Sequence, residues 1–246
     1  MNLKQLGSLI EIEIKNFLRE PVASMMLITQ ALIFLMFATA YGDDPAPGGL
    51  RMVDLQVPSF IAFGIAMLGI MNIPYTLVEY KVTKVFKRFK GTPLESWYIL
   101  IAQAAVTFII LLVSTLILIG VAVAVFNIEF HLDILSFLLA FGLSTITFFS
   151  LGFVLAALLR TTRAVEALTG ILFFPLFFLS GIIIPLEAFP KFLQDAAEFN
   201  PVVHSMDILT TTWIGNDLGD YTRAIIILCS ITVLCTFVAI KTFRWE

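Results

Sequence analysis

Charged residues are scarce in this chain of 246 residues. Asp, Glu, Lys and Arg together make up 13% of it, whereas a typical soluble domain has about 25%. Apolar residues reach 59%, and the mean hydropathy is +0.98. One soluble globule of this length could not bury so much apolar material, because its surface is too large for its volume. The composition excludes disordered, collagen-like and disulfide-rich secreted proteins and indicates an integral membrane protein.

Motifs for catalysis, for metal binding and for nucleotide binding are also missing. No Gly-Lys pair occurs, which excludes the GxxxxGK[ST] phosphate loop, and no GxSxG nucleophile motif is present. His131 and His204 lie far apart and outside any HExxH spacing, so we expect no metal site. Cys229 and Cys235 would point in different directions on one helix, which favours packing over a disulfide or a metal pair. The net charge of -3 offers no general basic surface for nucleic acid. We therefore expect no catalytic residue and no bound cofactor in this chain.

Long apolar runs are abundant. A helix that crosses the hydrocarbon core needs about 20 mostly apolar residues. Six segments qualify, and none of them contains an Asp, Glu, Lys, Arg or His. They are residues 22–41, 57–78, 98–126, 134–158, 167–186 and 224–240. The sequence therefore predicts an all-α integral membrane protein with six transmembrane helices, forming one domain over residues 1–246.

The basic residues indicate how these spans are oriented. Cytoplasmic loops of membrane proteins carry an excess of Lys and Arg. Twelve of the fifteen Lys and Arg residues fall on one set of span ends, and only Arg51, Lys191 and Arg223 fall on the other. This asymmetry predicts a multi-pass protein of the cell membrane with both termini in the cytoplasm.

Residues 1–20 have the pattern of an amphipathic helix that lies in the cytoplasmic membrane interface. Apolar residues such as Leu6 and Ile10 recur at helical spacing, and Lys15 and Arg19 supply charge. Pro21 is then suited to start the first span, where its missing N–H costs nothing.

Residues 79–96, between the second and third spans, combine five basic residues with aromatic ones and end in a Gly-Thr-Pro turn. A basic loop of this kind can anchor a protein to anionic lipid headgroups. Headgroup binding does not require the aromatic residues or the rigid turn, and these suit a short helix docked on another protein. We favour docking, and both roles are compatible.

Residues 187–222, between the fifth and sixth spans, form the longest connection. They contain Phe189, Phe192, Phe199 and Trp213, which a purely solvated loop would not need. Non-helical backbone at membrane depth must be shielded by protein or water. We expect re-entrant helices here, half-inserted into the outer leaflet.

Three segments of this sequence resemble the permease subunits of type-2 ATP-binding-cassette (ABC-2) exporters. Arg19-Glu20-Pro21 follows an amphipathic start, and residues 87–94 form a basic element that ends in Thr-Pro-Leu. The most specific segment begins with Leu179-Ser180-Gly181 and continues to an Asn-Pro pair. The residues of this fifth-span motif are Ser180, Gly181, Pro185, Pro190, Asn200 and Pro201. The resemblance extends in layout over essentially the whole chain.

The resemblance implies a half-transporter that pairs with a second permease copy and with two cytoplasmic ATPase subunits. ATP and Mg would be bound by those subunits, so this chain would be a transport subunit and not an enzyme. By this likeness the segment between spans two and three is a coupling helix received by the ATPase. Its docking residues would be Lys84, Phe86, Lys87, Arg88, Gly91, Thr92 and Pro93. The interfacial helix, through Leu6, Ile10, Lys15 and Arg19, would add a second contact.

The spans offer few polar side chains that could contact cargo. Thr29, Gln30 and Asn72 are candidates, and Phe173 and Phe177 would suit an apolar passage at a subunit seam. The phenylalanines could equally pack against neighbouring helices. An uncharged path of this kind favours export of a drug, an antibiotic or a lipid-like molecule. Export of polysaccharide or lipid-linked glycan, an ATP-independent carrier or channel, and a scaffold subunit without transport are the alternatives.

Overall fold

The computed structural model describes residues 3–19, 21–42, 44–46, 49–85, 97–128, 133–184, 186–216 and 218–242. Within these ranges the chain is helical and contains no β-strand, apart from a single bridge between Pro45 and Arg51. The expectation of an all-helical protein is thus confirmed for the described residues.

Ten α-helices succeed one another in the described ranges. They are α1 (Leu3–Arg19), α2 (Pro21–Tyr41), α3 (Met52–Met67), α4 (Ile73–Val82), α5 (Trp97–Phe126), α6 (Ile134–Leu158), α7 (Thr162–Phe178), α8 (Lys191–Ala197), α9 (Pro201–Trp213) and α10 (Thr222–Thr242). A π-helix, Leu68–Asn72, joins α3 to α4 without a break. Two short 3₁₀ helices, Leu186–Ala188 and Leu218–Tyr221, precede α8 and α10, respectively.

In the described part of the chain, four helical stretches are long and apolar enough to cross a membrane. They are Met52–Val82, Tyr98–Phe126, Ile134–Leu158 and Thr222–Thr242. The first and fifth predicted spans correspond to α2 and to α7, which has only 17 residues. A multi-pass helical membrane protein is therefore supported, whereas the count of six spans stays a prediction.

The fifth predicted span, residues 167–186, has different helix bounds in the structure. Helix α7 begins at Thr162, where the Thr161 hydroxyl caps it by accepting from the Ala164 N–H at 3.2 Å. It ends at Phe178, because the Ser180 hydroxyl donates to the Phe177 carbonyl at 2.6 Å and Gly181 turns the chain with φ +85°. A window of apolar residues cannot detect these capping and turn contacts.

Close packing of α6 against the π-helix organises the centre of the bundle. A Cβ atom built on Gly152 would lie 2.1 Å from the Gly69 carbonyl oxygen, and one on Gly69 would lie 2.6 Å from Phe148 Cβ. The two backbones therefore meet directly, as small residues permit in membrane helices. Phe148 is completely buried beside this crossing.

Helix α2 is fixed to α3 by a second close contact. The Gln30 amide nitrogen donates to the Phe60 carbonyl at 2.9 Å, and the same side chain lies against Gly64. Phe34 packs edge-on to Phe60, with ring centroids 5.9 Å apart. Gln30 thus adds one polar contact to an otherwise apolar interface. Its amide nitrogen has a hydrogen-bond partner in the core, so its burial is not costly.

Candidate functional site

A cavity of about 880 Å³ opens between α1, α4, α5 and α7. Its size falls within the range of about 300–1,000 Å³ that is typical of small-molecule sites. The predicted orientation places it in the cytoplasmic half of the bundle, because it is lined by the end of α4 and by the beginnings of α5 and α7. Helix α1 forms one wall.

The inner part of the cavity carries a short chain of polar groups. The Gln103 amide nitrogen donates to the Thr107 hydroxyl at 3.3 Å, and that hydroxyl donates to the Asn72 side-chain oxygen at 3.4 Å. Gln103 is 4% exposed and Thr107 is fully buried, while Asn72 is half-buried. These contacts join the π-helix to α5 and present amide groups to the cavity.

The π-helix determines which side chains face the cavity. Its extra residue per turn shifts the register of α4 relative to α3, and Asn72 is its last residue. Asn72, Thr76, Glu79 and Thr83 then follow at helical spacing and all line the cavity. π-helical turns recur at functional sites, and here one lies at the inner end of this cavity.

Acidic side chains are the more numerous charged groups at the solvent-facing end of the cavity. Glu13, Glu79 and Glu166 line it together with Arg19. The Tyr80 hydroxyl donates to the Glu13 carboxylate, which ties α1 to α4. Burial raises the pKa of the Glu13 carboxyl above its usual range, and the hydrogen bond from Tyr80 offsets part of that rise.

Of the predicted cargo contacts, only Asn72 lines this cavity. Gln30 is 3% exposed and holds α2 against α3, while the Thr29 hydroxyl donates to the Met25 carbonyl of its own helix. In the described conformation Gln30 joins two helices, whereas the Thr29 hydroxyl bonds within its own helix.

Phe173 and Phe177 occupy the interior of the single chain. They are 5% and 8% exposed and stack on each other with ring centroids 5.9 Å apart. Phe63 packs on both rings, at 5.6 and 4.5 Å. In this conformation Phe173 and Phe177 therefore pack against neighbouring helices, which was the alternative interpretation. Phe174 and Phe178 face outward instead and are 56% and 45% exposed.

The fifth-span motif comes together at the end of α7. The Asn200 amide nitrogen donates to the carbonyls of Leu176 at 2.7 Å and Leu179 at 3.2 Å. The Asn200 side-chain oxygen accepts from the Val202 N–H at 2.9 Å and so caps α9, whose first residue is Pro201. One asparagine, 4% exposed, therefore joins the last turn of α7 to the start of α9. Pro190 precedes α8 and is exposed, and Pro185 lies outside the described residues.

We expect an Asn200→Ala variant to be clearly less stable than the parent chain. The change removes a helix cap and the donor to the carbonyls of two half-buried residues, a cost of about 2–4 kcal/mol. The midpoint of thermal unfolding in detergent should fall by several degrees, while Asn216→Ala, at an exposed position, should change it little. Equal midpoints for the two variants would show that Asn200 does not hold this corner.

The predicted docking residues lie mostly beyond the described ranges. Phe86, Lys87, Arg88, Gly91, Thr92 and Pro93 all fall within residues 86–96. Lys84 is exposed and has φ +57°, so the chain turns sharply after α4. Of the interfacial residues, Leu6 and Ile10 lie on α1, Ile10 half-buried, and Lys15 forms an exposed ion pair with Glu11 at 2.6 Å. Arg19 reaches the cavity.

Sequence reasoning did not identify Gln103 or the three glutamates as cavity residues. The four-three-four spacing of Asn72, Thr76, Glu79 and Thr83 was the available indication, because it places polar groups on one face of an otherwise apolar helix. The participation of α1 was not detectable, since it depends on tertiary packing. Among the described residues, no group of three or more His, Cys, Asp and Glu side chains could hold a metal ion.

The sequence of this chain is similar to those of known membrane transport proteins and matches one family model. Nodulation protein J of Rhizobium leguminosarum bv. trifolii is 29% identical over 126 residues, which are 51% of this chain and 48% of that protein. Probable multidrug ABC transporter permease YbhR of Escherichia coli (strain K12) is 27% identical over 158 residues, which are 62% of this chain and 41% of that protein. The matched stretches thus span less than half of each relative. The family model described as ABC-2 type transporter matches residues 4–214, which is most of the chain. The resemblance inferred from the motifs is therefore confirmed: this chain belongs to the ABC-2 type transporter family.

Proposed function

We propose that this chain is the permease subunit of an ATP-driven exporter that moves a hydrophobic or amphipathic molecule outward across the cell membrane. The observation that carries the proposal is the cavity of about 880 Å³ between α1, α4, α5 and α7, in a chain of the ABC-2 type transporter family. The mixed lining of apolar, amide and acidic side chains suits an amphipathic cargo better than a bare ion. The similarity to a relative named as a multidrug permease is consistent with a drug-like or lipid-like cargo.

In this proposal six spans cross the membrane, with both termini in the cytoplasm. Helix α2 and the short α7 supply the first and fifth spans, and α8 and α9 form the re-entrant outer region. Two cytoplasmic ATPase subunits bind ATP and Mg. The coupling segment, residues 79–96, transmits their closure to α4 and α5. Because α4 and α5 flank both the coupling segment and the cavity, their movement would change access to the cavity.

A second permease copy would complete the transporter. Exposed apolar side chains of α2 and α7, including Met25, Leu32, Ile171 and Phe174, would be covered by lipid or by that copy. In this proposal Phe174 and Phe178 line the seam between the two permease copies, because they face outward. Phe173 and Phe177, which the sequence suggested for that seam, are buried.

Copurification tests the proposal. The tagged full chain, solubilised from its native membrane in mild detergent, should carry near-stoichiometric amounts of a cassette ATPase, identified by mass spectrometry. A chain that is recovered intact but reproducibly without any ATPase would contradict the proposal and favour an ATP-independent carrier or channel.

A further inference from the structure

A second pocket, of about 260 Å³, lies in the region between the fifth and sixth predicted spans. Residues of α8 and α9 line it together with Leu186, and Tyr221, Arg223 and Ala224 line it where α10 begins. The predicted orientation puts this outer pocket on the outer side of the membrane. It shares no lining residue with the cavity that contains Asn72, so the proposed transport path does not use it.

Asp207 of α9 presents a half-buried carboxylate to the outer pocket. Within the described part of the chain this carboxylate accepts no hydrogen bond and forms no salt bridge. Burial raises the pKa of the Asp207 carboxyl above its usual range, and the charge of His204 offsets part of that rise. The side chains of Asp217 and Asp220, shortly before Tyr221 in the sequence, are outside the described part, and both are acidic. The ionised carboxylate of Asp207 therefore gains from a bound cation.

The other charged groups of the outer pocket bind each other. The Arg223 guanidinium donates to the Glu198 carboxylate at 2.7 Å, and the two charges cancel. The His204 Nε2 atom lies 2.8 Å from the Glu198 carbonyl oxygen. A carbonyl oxygen only accepts, so this nitrogen carries a proton and donates it. When the His204 ring is neutral, the described lining of the outer pocket thus carries the single negative charge of Asp207.

Uncharged acceptors accompany Asp207 in the outer pocket. The Gln194 amide nitrogen donates to the Phe189 carbonyl at 2.8 Å, which leaves the Gln194 side-chain oxygen to accept. The Tyr221 hydroxyl is also part of the lining and can accept. A primary ammonium group has three N–H donors, one for each of these two acceptors and for the carboxylate. A trimethylated ammonium group has the same charge and no N–H donor.

We infer that the outer pocket binds the primary ammonium group of a small amine or of a lipid headgroup. The ammonium lies against Asp207 and donates to Gln194 and Tyr221. The volume of about 260 Å³ is below the range of about 300–1,000 Å³ that is typical of small-molecule sites, so the pocket suits an amine of headgroup size. This inference goes beyond the proposed function and does not depend on it. An occupant contacts α8, α9 and the start of α10 and so stabilises this outer corner.

Ethanolamine and choline separate the N–H donors from the charge. Both are small cations with a hydroxyl group, and only ethanolamine carries N–H donors on its nitrogen. The full chain, with any ATPase that copurifies, is placed in nanodiscs of phosphatidylcholine, and its thermal unfolding midpoint is measured up to about 100 mM of each probe at constant ionic strength. A ligand of the folded state raises this midpoint. We expect a saturable rise with ethanolamine, and choline should need at least about tenfold higher concentrations for the same rise.

Asp207→Asn should abolish the rise with ethanolamine, because the substitution keeps the size of the side chain and removes its charge. Asp195→Asn is the matched control, since Asp195 is an exposed carboxylate of α8 outside the outer pocket. It should keep the full rise. Tyr221→Phe should keep part of the rise, because it removes one acceptor and leaves the charge. The comparison of ethanolamine with choline on the parent protein does not require any variant to fold.

Nanodiscs that contain phosphatidylethanolamine distinguish the two sources of the ammonium group. If a lipid headgroup fills the outer pocket, added ethanolamine no longer raises the midpoint in these nanodiscs, and purified parent protein retains more phosphatidylethanolamine than Asp207→Asn does. If a free amine is the ligand, ethanolamine acts equally in both kinds of nanodisc. The inference is overturned by the absence of a rise with ethanolamine in phosphatidylcholine nanodiscs, by an equal rise with choline, or by an undiminished rise in Asp207→Asn.

Discussion

A Gly152→Val variant should be strongly destabilised. A Cβ atom at this position would lie 2.1 Å from the Gly69 carbonyl oxygen and 3.1 Å from Ile73 Cβ. The nearest obstacle is backbone, so rotation of a side chain cannot relieve the clash. Helix α6 would have to move away from the π-helix, and we expect a loss of stability of about 3 kcal/mol or more. The amount of monodisperse protein after detergent extraction and its unfolding midpoint measure this loss.

Gly142 provides the matched control on the same helix. A Cβ atom there would meet nothing within 4 Å, so Gly142→Val adds the same side chain to α6 without a clash. The control should be extracted and should unfold nearly as the parent chain does. If both variants behave alike, the cost comes from valine in the helix and the close crossing at Gly69 is not essential.

The second large effect is expected in the coupling segment, where Arg88→Glu should reduce ATP-driven export by about tenfold or more. Like charges placed together at an interface cost several kcal/mol, and this segment is proposed to dock on the ATPase through its positive charge. Phe86→Asp should have a similar effect, because it places a charge where an apolar side chain is proposed to pack. Export by membrane vesicles, normalised to the amount of inserted permease, is the measurement.

Lys191→Glu is the control for charge reversal, since Lys191 is exposed and lies at the start of α8, far along the chain from the coupling segment. It should leave export near the parent rate. Normal export by Arg88→Glu and Phe86→Asp would leave residues 84–93 as a headgroup anchor, the alternative that the sequence also permits.

Long apolar helices were predictable because composition alone requires them. Residues 134–158 were expected as a span, and α6 has the same bounds. The end of α7 was not predictable from hydropathy, since Ile182, Ile183 and Ile184 continue the apolar run beyond the turn at Gly181. The Ser180 hydroxyl on the Phe177 carbonyl and the Asn200 amide on the Leu176 carbonyl end the helix instead, and the second contact joins residues 24 positions apart.

The candidate site was predictable only in part. Asn72 was expected to contact cargo, because an amide in an apolar span is costly without a partner. Gln30 has the same chemistry but lies against Gly64 and donates to Phe60, which a single sequence does not reveal. The three glutamates were not predicted to line a cavity, because each lies outside the apolar runs, where charge is ordinary. Only the tertiary packing of α1, which lies mainly against α5, brings Glu13 beside Tyr80 and the rest of the cavity.

ATP-driven uptake into inverted membrane vesicles tests the central claim most directly. The vesicles contain the full chain with its copurifying ATPase, and the readout is accumulation of a fluorescent amphipathic dye. We expect accumulation that requires hydrolysable ATP, persists when ion gradients are collapsed, and disappears when the cavity is filled by Val106→Trp. Accumulation that follows the ion gradient and is indifferent to ATP would contradict the account and identify a secondary carrier.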